Sequence, residues 1–273
     1  MYRKEESIEE RQTDVRIIYY SHPLETYRTF LEILVEKAVR KQFEEIYHMD
    51  EFNKIKSIEV INDEKLIEIF IQMRKLINKY KNKIPETDAK EIAHSFMKIL
   101  KLSITTKCNI LFNPSIFSNI FSIGVISEEF KRKAYPFFCQ GLIDYCDVIV
   151  AHGYIMDNYI TELFKSWLKL LMTFDQIIRE YSSEILRLIE FRNTLLSPGV
   201  YHEMKYAIEK GKKVLLLQIN ENLKEVTVDN LDSFKVIPFD KYGLKLYNKL
   251  WQPIAESVYQ TLTQLNYDNY IEI

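Results

Sequence analysis

The stretch Ser197–Leu217, with the sequence SPGVYHEMKYAIEKGKKVLLL, decides the fold of this chain. Pro198 indicates the start of a helix and Gly211 its end, because proline suits the first helical turn and glycine the position just past the last one. An apolar run of strand type follows at once. We place Glu203 as the one carboxylate in the first turn of that helix. The stretch is interpreted as the last helix–strand step of an α/β domain.

Composition limits the classes of protein to which the chain can belong. Of its 273 residues, 47% are hydrophobic and 28% are charged, which is typical of a globular protein with one large or two small domains. The net charge of −2 excludes a global field that would recruit nucleic acid or an anionic membrane. No apolar run approaches the roughly 18 residues of a membrane span, and the charged stretch 1–14 does not resemble a signal peptide. We therefore expect neither a membrane span nor secretion by a signal peptide.

The cysteines and histidines do not predict a disulfide or a metal site. Cys108, Cys139 and Cys146 are an odd number without a CxxC pair, which is typical of reduced thiols. The five histidines have no ligand spacing beside them, so no metal is expected. We expect no cofactor either.

Apolar runs alternate with helical patterns along the chain, as in a mostly parallel sheet. Strands are predicted at Val15–Tyr20, Asn109–Phe112, Asp147–His152, Lys213–Ile219 and Phe234–Phe239, with a weaker strand at Ser57–Ile61. Helices are predicted after the first strand to about Tyr47, at about Asp63–Lys81 and Thr87–Lys101, from Ser127 to about Cys146 with Pro136 as a kink or a late start, and at about Lys241–Leu265. We expect one Rossmann-like (flavodoxin-like) α/β domain over residues 1–273, with helical insertions at about 50–105 and 155–196.

The insertion at 155–196 has apolar residues three and four positions apart, including Trp167 and Phe174. This spacing predicts either one long helix or a helical hairpin bent near Ser182 and Ser183. An amphipathic element of this length must bury its apolar stripe. It either packs on the core of its own chain or pairs with the same element of another subunit, which would form a homo-oligomer, a dimer or tetramer.

The loops after the strands are where a parallel α/β sheet binds ligands. In the last such loop Ser197 offers a hydroxyl, and we expect the N–H groups of Gly199, Val200 and Tyr201 to point freely out of the helix, as an anion site requires. Helical spacing puts Glu203 beside the buried stripe and near the strand ends, where a carboxylate can attack an electrophilic sugar carbon. The alternative is that the helix dipole alone favours an acidic residue there. The buried stripe of the helix is predicted to be Val200, Met204, Ala207 and Ile208.

Ser21 and His22 follow the first strand and belong to the same predicted ligand site. His22 is a candidate general acid–base, or else a loop histidine that bonds to nearby backbone groups. His152 and His202 also fall near the site. Because neither has a carboxylate at a fixed spacing, we expect them to pack or to form hydrogen bonds.

Four segments taken together resemble the nucleoside 2-deoxyribosyltransferase superfamily, including its deoxynucleotide N-hydrolase branch. They are IIYYSHP at 17–23, NILFNPSIF at 109–117, CDVIVAHGY at 146–154 and the stretch at 197–217. The last is the most specific, with Ser-x-Gly-Val, a glutamate four residues after that glycine, and Gly-Lys before the strand. The resemblance implies that Glu203 is the nucleophile on the anomeric carbon, that Ser197 holds a 5′-phosphate and that Tyr19 supports the nucleophile. The implied ligand is a (deoxy)nucleoside or its 5′-phosphate.

The chain departs from that family at two points. Cys139 stands where the family has an acidic residue that contacts the substrate, and Ser21-His22-Pro23 replaces a glycine-rich turn. In length and in its Ile-, Lys- and Tyr-rich, Gly-poor composition, the whole chain resembles virion proteins of two-tailed viruses of hyperthermophilic archaea. We therefore expect a structural or assembly protein of the virion or host cytoplasm, with other virion proteins as partners. The alternative is an N-glycosidase or 2-deoxyribosyltransferase.

Overall fold

The computed structural model describes a defined part of the chain. The described residues are 15–22, 40, 53–56, 67, 71, 75, 86–104, 108–114, 128–153, 158–190, 195–218 and 221–236. The predicted strand at Ser57–Ile61 and the closing helix at Lys241–Leu265 lie outside these residues. Of the helices predicted after the first strand and at Asp63–Lys81, the structure describes four positions, Arg40, Ile67, Ile71 and Lys75, and all four are helical. The remaining positions of these two helices lie outside the described residues.

Six strands form a mostly parallel sheet. They are β1 (Val15–Ser21), β2 (Asn53–Lys56), β3 (Cys108–Phe112), β4 (Val148–His152), β6 (Lys213–Gln218) and β7 (Glu221–Val226), in the spatial order β2-β3-β1-β4-β6-β7. β3 runs parallel to both β1 and β2, and β7 runs antiparallel to β6. The short strands β5 (Leu195–Leu196) and β8 (Lys235–Val236) pair in parallel as a second sheet. The predicted Rossmann-like α/β class is confirmed.

The central strands owe their position to uninterrupted apolar sequence. Every residue of β4 is buried, and in β1 so is every residue from Ile17 to Ser21. A strand that is apolar on both faces is stable only where helices cover both faces of the sheet, which is the environment of a parallel α/β core. The first and third predicted strands are therefore where the sequence places them.

Helices connect the strands. They are α1 (Glu86–Ser103), α2 (Glu128–Asp144), α3 (Asn158–Phe174), α4 (Gln176–Ile189), α5 (Pro198–Glu209) and the short α6 (Val228–Leu231). Pro136 lies inside α2, so the predicted late start at this proline is wrong and the helix continues through it. Gly211 has a φ of +68°, a left-handed conformation that glycine adopts without strain, and it ends α5 as predicted.

The chain divides into two compact units, each built from three segments. The first comprises Met1–Tyr20, Glu44–Ile149 and Glu209–Lys213, and the second comprises Ser21–Phe43, Val150–Ile208 and Val214–Ile273. In the first unit α1 packs on α2 at Gly141, where a Cβ atom would come within 2.7 Å of the Ala93 methyl group. The ammonium group of Lys212 closes the end of α2 by donating to the carbonyl oxygens of Asp144 at 3.0 Å and Cys146 at 2.8 Å.

In the second unit the insertion forms a helical hairpin, α3 and α4, that breaks at Asp175. The side chain of Asp175 accepts the N–H of Ile178 at 3.2 Å, so it caps the start of α4. Arg179 donates to the carbonyl oxygens of Met172 and Thr173 at the end of α3. The bend predicted near Ser182 and Ser183 is wrong, because a helix start with its own cap lies seven residues earlier.

Candidate functional site

The candidate site lies in the second unit and centres on the contact between Ser21 and Glu203. Ser21 is the last residue of β1 and is fully buried, and Glu203 is a half-buried residue of α5. The Ser21 hydroxyl donates a hydrogen bond to Glu203 Oε2 at 2.5 Å, a length typical of an O–H donor on a carboxylate. The carboxylate of Glu203 therefore reaches the carboxyl end of β1, where the helical spacing predicts it.

The position of Glu203 within α5 differs from the prediction. The helix begins at Pro198. The structure describes every position of its first turn, and none of them is acidic. Glu203 falls in the second turn, whereas the favourable effect of the helix dipole on an acidic side chain falls off within the first. The helix dipole alone therefore does not explain why a carboxylate stands at position 203, whereas its hydrogen bond with Ser21 does. The buried side chains of the helix are Val200, Met204 and Ala207, as predicted, and Ile208 is half-buried.

Ser197 serves as the N-terminal cap of α5. Its hydroxyl oxygen accepts the N–H of Val200 at 3.3 Å, and its carbonyl oxygen accepts the N–H of Tyr201 at 3.0 Å. These are the first bonds of a capped helix. The expectation that the N–H groups of Val200 and Tyr201 point freely out of the helix is therefore wrong. Gly199, between them, is exposed.

Two buried histidines stack beside this contact. The rings of His22 and His152 are nearly parallel, with 5.8 Å between their centroids and 7° between their planes, and they are 6% and 1% exposed. Nδ1 of His152 bonds to the carbonyl oxygen of Gly153 at 2.8 Å. Burial, and secondly the neighbouring His22, lower the pKa of His152 to about 3, although the bond to Gly153 favours the charged form. His152 is therefore neutral at physiological pH.

Gly153 allows a close crossing of the chain at the end of β4. A Cβ atom at this position would overlap the carbonyl oxygen of Leu195 and come within 3.0 Å of the Leu196 side chain. The absence of that atom lets β5 pass over Gly153, and β5 leads directly into Ser197 and α5. The sequence interpretation gave Gly153 no role, although a lone glycine after a strand is a signal of close backbone approach.

The remaining predicted residues have other surroundings. Tyr19 is fully buried in the first unit, where its ring centroid lies 6.4 Å from that of Phe112. Cys139 is buried in α2 of the same unit. His202 is exposed on α5 with its ring edge against Tyr201. The structure thus brings Ser21, His22 and Glu203 to one strand end.

The site offers a carboxylate, a hydroxyl and two imidazole rings, which suit proton transfer and attack on carbon better than metal binding. Among the described residues, no three His, Cys, Asp or Glu side chains form a group that could hold a metal ion. Within the same residues, no helix has both the length and the apolar character to cross a membrane. Fold and site together define a Rossmann-like α/β protein with a carboxylate at its strand ends. Comparisons with protein-family models, with curated proteins and with solved structures find no match.

Proposed function

We propose that the protein is a self-associating structural or assembly protein, of the kind found in virions of hyperthermophilic archaeal viruses, built on a nucleotide-binding-like α/β core. The observation that carries the proposal is the apolar surface of the α3–α4 hairpin. Phe174 is 81% exposed, and Leu170, one turn earlier on the same helix, is 48% exposed. Large apolar side chains that share one helix face mark an interaction surface.

The internal contacts of the candidate site support the same proposal. The Ser197 hydroxyl is engaged by the helix that it caps. Cys139, where the related family carries an acidic residue, is a buried thiol. A hydroxyl that could hold a substrate thus caps a helix of the second unit, and a thiol in the core of the first unit stands in place of an acidic group.

Sedimentation velocity on the whole chain tests self-association. We expect a dimer or tetramer at micromolar concentration, and Phe174→Lys should weaken association at least tenfold, because a buried aromatic side chain is a common hot spot of an interface. Val228→Lys is the matched control. Val228 is an apolar residue of α6, 71% exposed and outside the hairpin, so this variant should associate like the wild type.

Two results would contradict the structural proposal. One is a wild-type chain that remains a monomer at tens of micromolar and is absent from purified particles. The other is an equal loss of association in the Phe174→Lys and Val228→Lys variants, which would show that added charge and not the hairpin surface is responsible.

The second candidate function is an N-glycosidase or 2-deoxyribosyltransferase acting on (deoxy)nucleosides or their 5′-phosphates. The contact between Ser21 and Glu203 favours it, because it holds a carboxylate at the strand ends where such a substrate would bind. Glu203 would attack the anomeric carbon, so that the bond to the base breaks and a glycosyl ester forms. Water or a second base would then displace Glu203 from that carbon. Tyr19 would support the nucleophile, and Ser197, Gly199 and Val200 would hold the sugar or phosphate.

Release of free base from a panel of nucleosides and nucleotides, measured by chromatography, tests this second function. Glu203→Gln should abolish release, since an amide cannot form the ester. Glu209→Gln should leave it unchanged, because Glu209 is an exposed residue at the far end of the same helix. No release by the wild-type protein from any member of the panel would exclude this function.

A further inference from the structure

The break between α3 and α4 is one residue long, and helical bonds reach it from both sides. The N–H of Asp175 donates to the carbonyl oxygen of Leu171 at 2.8 Å, and the N–H of Arg179 donates to the carbonyl oxygen of Asp175 at 3.1 Å. The apolar spacing also runs through the break, because Phe174 and Ile178 are four positions apart. The helix and its apolar stripe therefore continue on both sides of Asp175.

Side chains bond to the backbone groups that a continuous helix would join across the break. An uninterrupted helix pairs each carbonyl oxygen with the N–H four residues later. Here Arg179 donates to the carbonyl oxygens of Met172 at 2.9 Å and Thr173 at 3.4 Å. The side chain of Asp175 accepts the N–H of Ile178 at 3.2 Å. Because these three side-chain bonds stand in place of three backbone bonds, the bent and the straight arrangement satisfy the same groups.

A straight helix over residues 158–189 cannot be closed within one chain. At 1.5 Å per residue it is about 48 Å long. The connections from residue 153 to 158 and from 189 to 195 span about 40 Å in total even when fully extended. Leu195 nevertheless lies on Gly153, where a Cβ atom would overlap its carbonyl oxygen. A straightened chain therefore makes this crossing with the Leu195 of a second copy.

The apolar side chains beside the break are open to water. Phe174, directly before the break, is 81% exposed, and Leu170, one turn earlier, is 48% exposed. Burial of a phenyl ring is strongly favourable. Where two copies exchange the chain beyond a hinge, their hinge segments meet at the two-fold axis, so that each residue faces its own counterpart. Straight helices that cross at this axis therefore cover the two Phe174 rings, which the bent hairpin leaves in water.

We propose that Asp175 is the hinge of a domain swap, in which two copies of the chain exchange the segment from Gln176 onward. In the swapped dimer α3 and α4 form one helix. Glu203 of the other copy accepts the hydrogen bond of Ser21, so each candidate site is built from both copies. The swap rests on the proposed self-association, and it specifies the segment that the second copy contributes.

Gln176→Pro tests the hinge by sedimentation velocity on the full chain at micromolar concentration. Gln176 is the first residue of α4, where proline is favoured, and the residue before a proline prefers the extended backbone of a helix cap. Inside one straight helix the same proline removes a backbone bond and clashes with the preceding turn. We expect a wild-type dimer and an at least tenfold weaker association of Gln176→Pro. The matched control, Gln176→Ala, suits both arrangements and should associate like the wild type.

Subunit exchange gives a second measurement, which decides the question even when the proline variant does not fold. Swapped dimers come apart only when α5 and β6 leave the sheet of the other copy. Native mass spectrometry of mixed isotope-labelled and unlabelled wild-type protein should therefore show mixed dimers no faster than the chain unfolds, a rate measured in parallel. Dimers held by surface contact alone mix without unfolding.

The outcomes separate the swap from the self-association on which it rests. A Gln176→Pro variant that dimerises as tightly as the wild type refutes the swap, and so do wild-type dimers that mix many times faster than the chain unfolds. Either result leaves self-association through the hairpin surface intact. A wild-type chain that remains a monomer overturns both.

Discussion

At the scale of single residues, the close crossing at Gly153 gives a sharp prediction. Gly153→Ala should lower the free energy of unfolding by about 1–3 kcal/mol, because the added methyl group overlaps the Leu195 carbonyl and the backbone must shift. Gly199→Ala is the matched control. A Cβ atom there finds its nearest neighbour, the Ser197 hydroxyl, at 4.0 Å, so the change should be neutral or stabilising by up to about 1 kcal/mol. Urea denaturation of the two variants measures both values.

Equal stabilities of the two glycine variants would contradict this explanation of Gly153. They would mean that β5 moves away from the end of β4 without cost. Because β5 leads into Ser197, a Gly153→Ala variant that folds should also show faster hydrogen exchange at the start of α5 than the Gly199→Ala variant does.

The residue scale also shows what sequence can and cannot predict about the site. The spacing of Val200, Met204 and Ala207 defines the buried face of α5, and from that face the direction of Glu203 follows, as its contact with Ser21 bears out. The hydroxyl of Ser197 is different, because a serine at a helix start serves a ligand or its own helix equally well by sequence. The stack of His22 on His152 joins positions 130 residues apart, and no local pattern indicates it.

At the scale of elements, the hairpin break depends on Asp175. Asp175→Ala should cost about 1 kcal/mol of stability, since the N–H of Ile178 loses its acceptor at the start of α4. Asp175→Asn should recover most of that loss, because asparagine is an equally good cap. Thermal denaturation followed by circular dichroism measures the difference.

The control for Asp175 is Ser182→Ala, at the position where the sequence predicts the bend. The Ser182 hydroxyl bonds to the carbonyl of Arg179 within α4, so replacing it with the better helix former alanine should leave stability unchanged or raise it slightly. A larger loss of stability in Ser182→Ala than in Asp175→Ala would show that the serines, and not Asp175, determine where the two helices meet.

The misplaced bend has a physical cause. Apolar spacing continues through the break, with Phe174 and Ile178 four positions apart, so the pattern by itself predicts one uninterrupted helix. What ends α3 is local polar bonding by Asp175 and Arg179, which an amphipathic pattern does not contain. The bend is predicted at the two serines because serine has a low helix propensity, but this weak preference does not interrupt α4 here.

The central strand β4 can be predicted from its sequence, whereas the edge strand β7 cannot. β4 is predictable from the sequence because Val148–Ala151 form an uninterrupted apolar run, and the structure buries all five of its residues. β7 has the sequence ENLKEV, in which the described buried side chains, Leu223 and Val226, are three positions apart and not two. Among the described residues it pairs with one neighbour, β6, and its charged residues Lys224 and Glu225 are exposed, so the alternation expected of a strand is missing.

At the scale of the whole molecule, the described residues of each compact unit include a buried group whose ionisation opposes folding. In the second unit this is His152, whose pKa falls from 6.5 to about 3. Unfolded chains bind the proton below pH 6.5 and the folded unit does not, so stability is lost as the pH falls from 6.5 towards 3 at about 1.4 kcal/mol per pH unit. Urea denaturation at several pH values should show this dependence of the free energy of unfolding on pH in the wild type. In His152→Phe the contribution of His152 to that dependence should be missing.

In the first unit the corresponding group is Cys146, a buried thiol whose hydrogen bond goes to the Leu142 carbonyl. Burial, and then the charge of Asp147, raise the pKa of Cys146 above its ordinary value of 9.0. The unfolded thiol therefore ionises above pH 9.0 while the folded one stays protonated, so this contribution to stability is present below pH 9.0 and is lost as the pH rises beyond it. Cys146→Ala will lower stability at every pH through the cavity that it leaves. Its free energy of unfolding should nevertheless fall less steeply than that of the wild type between pH 9 and 11. Urea denaturation under reducing conditions measures both slopes. Equal slopes would show that ionisation of Cys146 is not linked to folding.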